Sequence, residues 1–344
     1  MYSSGFNSND DELVVAMVQQ QIALVRNRAD LAEAVRATTA TLAEIATGMP
    51  RVDLVVFPEY GLHGLRKEGW AEDDLMCTIP GPETDLLTAA CRRHSVWAAF
   101  SVMETNPRGA PFNSSILVDE HGEIVLHTRK LFPWAPKEPW EPGRDPLSVC
   151  SGPRGSTIGL LICHDGCFPE AARDLAYQGA TVIVRQAGYK LPFEQAWRIS
   201  NQANAFSNMA YTVSVCLAGD DGNGFPSLGG AMACDIDGSV LVEGDQTPGR
   251  VVTAAFSPAR AEKARRTWGV ENNIYQLGHR GYTAIREGLA DNPFRYVTDL
   301  AAGQYRVPWD RDVSIRDGRS EGYGPAREPG TAADTARAGF PGSS

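Results

Sequence analysis

Short apolar runs alternate along the chain with longer stretches of helical periodicity. Leu13-Val14-Val15-Ala16-Met17-Val18 is an apolar run of strand length, as in a strand buried on both faces. Over residues 28–46 the apolar positions Leu31, Ala34, Val35, Leu42 and Ile45 recur at helical spacing and predict an amphipathic helix. Leu54-Val55-Val56-Phe57 reads as the next strand, closed by Pro58. A helix is expected over 83–93 and a strand over 96–102. Strands over 115–118 and 124–127 flank Glu120-His121-Gly122-Glu123, a hairpin signature. Thr157-Ile158-Gly159-Leu160-Leu161-Ile162 is another buried strand. It stops at Cys163, Gly166 breaks the pattern, and Pro169 suits the first turn of a helix carrying Ala171, Ala172, Leu175 and Ala176. A strand over 181–184, a helix over 193–208 and a strand over 211–215 follow. A second hairpin turns at Asp235-Ile236-Asp237-Gly238, and a last strand spans 251–256. Strands that alternate with helices in some places and pair through hairpins in others predict an α/β fold with mixed sheets covered by helices.

After about Trp268 the pattern changes. Gly, Pro, Arg, Asp and aromatic residues dominate, as in His279-Arg280-Gly281-Tyr282 and Pro308-Trp309-Asp310. The aromatic content is too high for simple disorder, so residues 269–344 are expected to form an extended arm that packs on a neighbouring subunit. Beyond Arg327 small residues prevail and a mobile tail is expected. Residues 1–268 make up the expected catalytic domain.

Composition narrows the function. With 43% hydrophobic and 22% charged residues, the chain can bury a large core. A formal net charge of −10 argues against nucleic acid, whose phosphates need a basic face. No run is long and apolar enough to span a bilayer, and the polar, acidic start is unlike a signal peptide. Seven cysteines without a C-x-x-C pair fit a reducing cytoplasm better than a disulfide framework.

Three polar residues each follow a strand: Glu59 in Phe57-Pro58-Glu59-Tyr60, Lys130 in Arg129-Lys130-Leu131-Phe132-Pro133-Trp134, and Cys163. Singly, each has a bland reading: a surface acid, an edge lysine, a small core cysteine. Together they make a set, because strand ends are where reactive groups converge in sheet-based enzymes. A cysteine on a sharp strand-to-helix turn is exposed as in a nucleophile elbow, and the helix N-terminus favours its thiolate. A buried glutamate with a raised pKa can take the thiol proton and later activate water. Lys130 and a backbone N–H after Cys163 can hold an oxyanion. The competing chemistry is a Cys–His pair, but none of His63, His94, His121, His127, His164 and His279 sits in a context that marks it as the base. No His/Cys/Asp cluster has metal-ligand spacing.

These motifs resemble the nitrilase superfamily of carbon–nitrogen hydrolases with its Glu–Lys–Cys triad, in the aliphatic amidase and formamidase branch. Ile162-Cys163-His164-Asp165-Gly166, Trp268-Gly269-Val270-Glu271-Asn272-Asn273 and Leu277-Gly278-His279-Arg280-Gly281-Tyr282 look like that branch. Lys130-Leu131-Phe132-Pro133-Trp134 with Glu138-Pro139-Trp140 looks closer to formamidase. The resemblance implies an α-β-β-α sandwich. It also implies Cys163 as nucleophile, Glu59 as base, and Lys130 with the His164 backbone N–H as oxyanion donors. Glu138 falls on a fourth catalytic position, and Tyr60, Trp134, Gly188 and Tyr189 match positions around a small acyl pocket. Implied partners are a small amide and water in a dimer-based homo-oligomer, up to a hexamer. Neither metal nor cofactor is implied. The expected reaction is formamide hydrolysis through a Cys thioester. The alternatives are an aliphatic amidase for larger short-chain amides, a protein acting on another C–N substrate such as a nitrile, and a catalytically silent scaffold. Two departures touch the pocket rather than the triad: Gly61 replaces the family's serine, and residues 220–229 lack the expected Tyr-Tyr-Phe run.

Overall fold

A computed structural model describes residues 11–21, 25–64, 75–134, 138–220 and 226–267, all within one compact unit. The C-terminal arm expected from residue 269 lies outside the described residues. In chain order the elements are β1 (Leu13–Gln19), α1 (Arg28–Gly48), β2 (Leu54–Val56), α2 (Pro82–His94), β3 (Trp97–Glu104), β4 (Phe112–Val118) and β5 (Ile124–Arg129). Next come β6 (Val149–Ser151), β7 (Thr157–Ile162), α3 (Pro169–Tyr177), β8 (Val182–Ala187), α4 (Glu194–Asn208) and β9 (Tyr211–Cys216). The described chain closes with β10 (Ala218–Gly219), β11 (Ser227–Leu228), β12 (Met232–Cys234), β13 (Val240–Glu243), β14 (Arg250–Phe256) and α5 (Pro258–Thr267).

Two six-stranded sheets have the orders β14-β1-β2-β3-β4-β5 and β13-β12-β9-β8-β7-β6. In each, the central strands are parallel and the outer ones antiparallel. The β1 run is apolar on both faces for a reason. Leu13, Val15 and Met17 face the second sheet with Leu54, Ile158, Val184 and Val213. Ala16 and Val18 face Leu31, Val35 and Leu42 of α1. Leu161 and Ile183 pack on Ala171, Ala172 and Leu175 of α3. Helix, sheet, sheet, helix is the layering of the α-β-β-α sandwich. Among the described residues no helix is long and apolar enough to cross a membrane.

The strands read from apolar runs are present, and most extend further than their apolar part. β3 continues to Glu104, β4 begins at Phe112, and β8 runs on through Arg185 and Gln186, which are buried despite being polar. α5 has no apolar stripe beyond Ala261 and Ala264, and the short β6, β10 and β11 offer too few residues for a periodic pattern.

Candidate active site

Glu59 is carried inward by the turn after β2. Phe57 extends the strand by donating to Ala99 O (3.0 Å), Pro58 ends it, and Tyr60 turns the chain at φ 63°. Glu59 is fully buried. Its Oε1 accepts from Asn113 Nδ2 and Lys130 Nζ, each at 2.7 Å. Its Oε2 has no hydrogen-bond partner among the described residues. Burial pushes the carboxyl up, against the pull of the Lys130 ammonium. Gly188, just after β8, closes in from the other sheet. A Cβ there would sit 3.0 Å from the Tyr60 ring and 3.2 Å from Glu59 Oε2, so a side chain would have to push ring and carboxylate aside by a few tenths of an ångström.

Lys130 follows β5, tied by its N–H to Asn113 O (2.8 Å). Its buried Nζ donates to Glu59 and also to both oxygens of Glu138, at 2.8 and 2.7 Å. Burial alone would strip the charge from such a lysine; the two carboxylates outweigh it and hold the pKa well above the ordinary value. Glu138 also accepts from Tyr60 Oη and from the Trp134 N–H, each at 2.6 Å. Lys130 and these donors overcome burial and lower its pKa. Trp140 Nε1 donates to Tyr60 Oη (2.9 Å) and fixes the phenol. The two carboxyls are thus pushed apart, Glu138 below its ordinary value and Glu59 above it.

Cys163 occupies the turn after β7 with φ 47°, a left-handed conformation that costs a residue with a Cβ about 1 kcal/mol. The chain continues as a 3-10 turn over Cys163–Cys167 before α3 begins at Pro169. The elbow expected from the sequence is present, but the thiol sits deeper than expected, with the residue 9% exposed. Its pKa is also not lowered. Burial pushes it well up, Glu59 adds to the rise, and Lys130 opposes it. The start of α3 lies beyond the 3-10 turn, at Pro169 rather than at the cysteine.

Asp165 is a residue that sequence reasoning did not select. Its Oδ1 accepts from the Phe132 N–H (2.9 Å) and its Oδ2 from the Ile162 N–H (3.2 Å), so it ties the lysine's loop to the nucleophile's strand. Burial pushes its carboxyl up to about 6. Asn113 was also missed; it lies in a polar stretch at the start of β4. Of the expected pocket residues, Tyr60 and Gly188 meet at Glu59. Tyr189 stands beside Cys167, its Oη 2.7 Å from that sulfur. Trp134 is 44% exposed, its ring edge-on to Phe193 at 6.2 Å; its backbone N–H is what reaches Glu138. His63, His127 and His164 are engaged elsewhere. His63 donates from Nε2 to Leu75 O (2.9 Å) and Glu104 holds His127 (3.0 Å). The His164 ring lies edge-on to Phe168, and His279 lies outside the described residues.

A second ionic cluster braces the strands that carry Asn113 and Lys130. Glu104 accepts from Arg129 Nε (2.9 Å), Ser114 Oγ (2.6 Å) and His127. Burial raises its carboxyl, and these partners more than reverse that, from 4.5 to about 2. A depressed acid stabilises the fold above its unfolded pKa and loses that contribution as pH falls through the folded one. Glu104→Gln should therefore cost on the order of 3 kcal/mol at neutral pH, with the deficit shrinking between pH 4.5 and 2. Urea unfolding of both proteins at pH 7 and pH 3 measures this; an equal deficit at the two values would remove the ionised carboxylate as its source.

Comparison with known proteins bears on this geometry. Residues 14–266 match the family model described as carbon–nitrogen hydrolase. The formamidase of Pseudomonas syringae pv. tomato is 47% identical over 325 residues, covering 94% of this chain and 95% of the relative. The formamidase of Bradyrhizobium diazoefficiens is 45% identical over 336 residues, covering 96% and 98%. A carbon–nitrogen hydrolase from Helicobacter pylori shares the fold, with a TM-score of 0.69 at 18% identity over 78% of this chain and 98% of that one. With two glutamates joined through one lysine, a cysteine at the turn after β7, and a match that spans all of these elements, the chain belongs to the carbon–nitrogen hydrolases of the nitrilase superfamily.

Proposed function

We propose that this amide-hydrolysing enzyme acts on a small aliphatic amide, formamide foremost, through a thioester on Cys163. The observation that carries the reading is the buried Lys130 ammonium shared by Glu59 and Glu138, with one Glu59 oxygen lacking a partner among the described residues and the Cys163 thiol within electrostatic reach of all three. Glu59 takes the proton from Cys163 as the sulfur attacks the amide carbon. The carbonyl oxygen becomes an oxyanion, held by Lys130 and the His164 N–H. When the tetrahedral species collapses, the C–N bond breaks and Glu59 passes its proton to the departing ammonia. Water then enters, Glu59 takes one of its protons, and the resulting hydroxide attacks the thioester carbonyl. The C–S bond breaks, the acid leaves, and the proton returns to sulfur. Glu138 keeps Lys130 charged and, through Tyr60, fixes the wall on the acyl side. The formamidase relatives, Tyr60 and Tyr189 all support a small acyl group.

A second reading, a larger short-chain amide, is favoured by one observation. The divergent segment of residues 220–229 is rooted beside the pocket: the Leu228 N–H donates to Tyr189 O (2.9 Å) and the Leu191 N–H to Pro226 O (3.0 Å). Ammonia release from formamide, acetamide and propionamide at equal concentration decides between them. The expected order in kcat/KM is formamide first, by about 10- to 200-fold per added methylene. A preference for propionamide would assign the protein to aliphatic amidases and make that segment the specificity element.

A further inference from the structure

The Arg185 guanidinium takes no part in the steps above, yet it is buried, 1% exposed, and fully engaged. Nε donates to Cys163 O (2.8 Å), and Nη1 donates to Ser200 Oγ and Asn201 Oδ1, each at 2.7 Å. Nη2 donates to Tyr189 Oη (2.9 Å) and approaches Cys167 Sγ (3.5 Å). The rings of Tyr189 and Trp197 lie 5.2 and 5.0 Å from its central carbon. None of these partners is a carboxylate, and burying a cation without one is costly. The chain also clears the way for this side chain: a Cβ on Gly166 would fall on the guanidinium, and Asn204 Nδ2 holds Gly166 O from α4 (2.8 Å).

The carbonyl that Arg185 grips belongs to the peptide between Cys163 and His164. That peptide is trans, the cis bonds of the described residues being at Pro80 and Pro192. A trans peptide is a rigid plane whose C=O and N–H point in opposite directions. Fixing the carbonyl therefore fixes the direction of the His164 N–H. A cation on the carbonyl oxygen also polarises the peptide and makes that N–H a stronger donor. We propose that Arg185 is a positioning residue that aims the His164 N–H at the oxyanion by clamping the Cys163 carbonyl from behind. Lysine cannot reproduce this, because one ammonium cannot hold the carbonyl, Ser200, Asn201 and Tyr189 in the fixed geometry of the fork.

The inference rests on Cys163 as nucleophile and separates oxyanion stabilisation from thiol reactivity. Alkylation by iodoacetamide displaces iodide and forms no oxyanion, whereas amide hydrolysis does. Arg185→Lys keeps the charge and loses the clamp. It should lower kcat on formamide by roughly 10- to 100-fold, less than the about 100- to 1000-fold for removing an oxyanion donor outright, with KM and the alkylation rate at Cys163 within about threefold. Fragment masses must separate Cys163 from Cys167. Burial raises the Cys167 thiol, but His164, Arg185 and Tyr189 more than offset this and bring it down to about 7, so it also reacts. A kcat within threefold of wild type overturns the inference. So does a parallel fall of hydrolysis and alkylation that follows the folded fraction, since that is the signature of a merely structural residue. If Arg185→Lys does not fold, Ser200→Ala and Asn201→Ala loosen the fork and keep the cation. The same split between hydrolysis and alkylation is expected at smaller size, and unchanged kcat in both overturns the inference. An active Cys163→Ala would instead sink the underlying reading.

Discussion

Cys163→Ala is expected to lose ammonia release by at least roughly 10⁴-fold, the scale on which removing a catalytic nucleophile acts, while the fold survives. The loss follows from covalent chemistry: without sulfur there is no thioester, and the Glu59-activated water faces an unactivated amide rather than a thioester. The fold survives because alanine meets the same left-handed backbone that cysteine already adopts at φ 47°, so no new backbone strain appears. Cys163→Gly sharpens the test. It is equally unable to form the thioester, yet glycine accepts that conformation without a Cβ penalty, so its melting temperature should equal or exceed that of the alanine variant. Ammonia assays with thermal unfolding of the three proteins measure both effects. Retained turnover in either variant would remove Cys163 as the nucleophile.

Much of this site was legible because its first members announce themselves by place. Glu59 and Cys163 stand where an apolar run stops, Lys130 follows the second strand of a hairpin, and a buried run has to stop at the edge of a sheet. The hairpin turn before Lys130 fixes which edge. What remained hidden follows a different rule. Asn113, Arg185 and Gln186 lie inside strands, and they interrupt the apolar pattern by which strands are recognised. β8 reads as ending at Val184 because the next two residues are polar; in the structure both are buried and both are satisfied. Gln186 Nε2 donates to Phe57 O (2.6 Å) and its Oε1 accepts from Ser115 Oγ, joining the two sheets just ahead of Glu59. Buried polar groups persist only where partners meet them, and partners come from distant strands that one sequence does not place. Asp165 was hidden for a related reason: its value lies in two backbone N–H groups rather than in its charge. The place of Cys163 relative to α3 was misjudged because the chain passes through a 3-10 turn over Cys163–Cys167, which has no periodic signature at five residues.

Lys130→Met should be the most damaging change to stability and activity together. The substitution keeps an unbranched chain, one atom shorter, and removes the ammonium between two buried carboxylates. Breaking a buried ion pair by deleting one partner costs roughly 3–5 kcal/mol, and here both Glu59 and Glu138 are left behind. They are not left equally. Glu138 still accepts from Tyr60 Oη and the Trp134 N–H, whereas Glu59 keeps only Asn113. Glu59 is therefore the group that takes up a proton, and its pKa, already raised by burial, rises further once the lysine's pull is gone. For an acid whose folded pKa lies above the unfolded one, stability is intact below the unfolded value and is lost as pH rises through the folded value. The deficit of Lys130→Met against wild type should thus be small near pH 4.5 and grow toward pH 8. Turnover should fall by at least roughly 100-fold at every pH, since an oxyanion donor is gone and a protonated Glu59 cannot accept the thiol proton. Glu138→Gln makes the contrast. Lys130 keeps Glu59 as its counter-ion, so stability changes less, while a shift of about 1 Å in the ammonium still costs on the order of 100-fold in turnover. Urea unfolding at pH 5 and 8, with ammonia release from the same preparations, measures all of this. A Lys130→Met deficit that is the same at both pH values would mean that Glu59 is not electrostatically coupled to the lysine, and the proton inventory of the site would have to be redrawn.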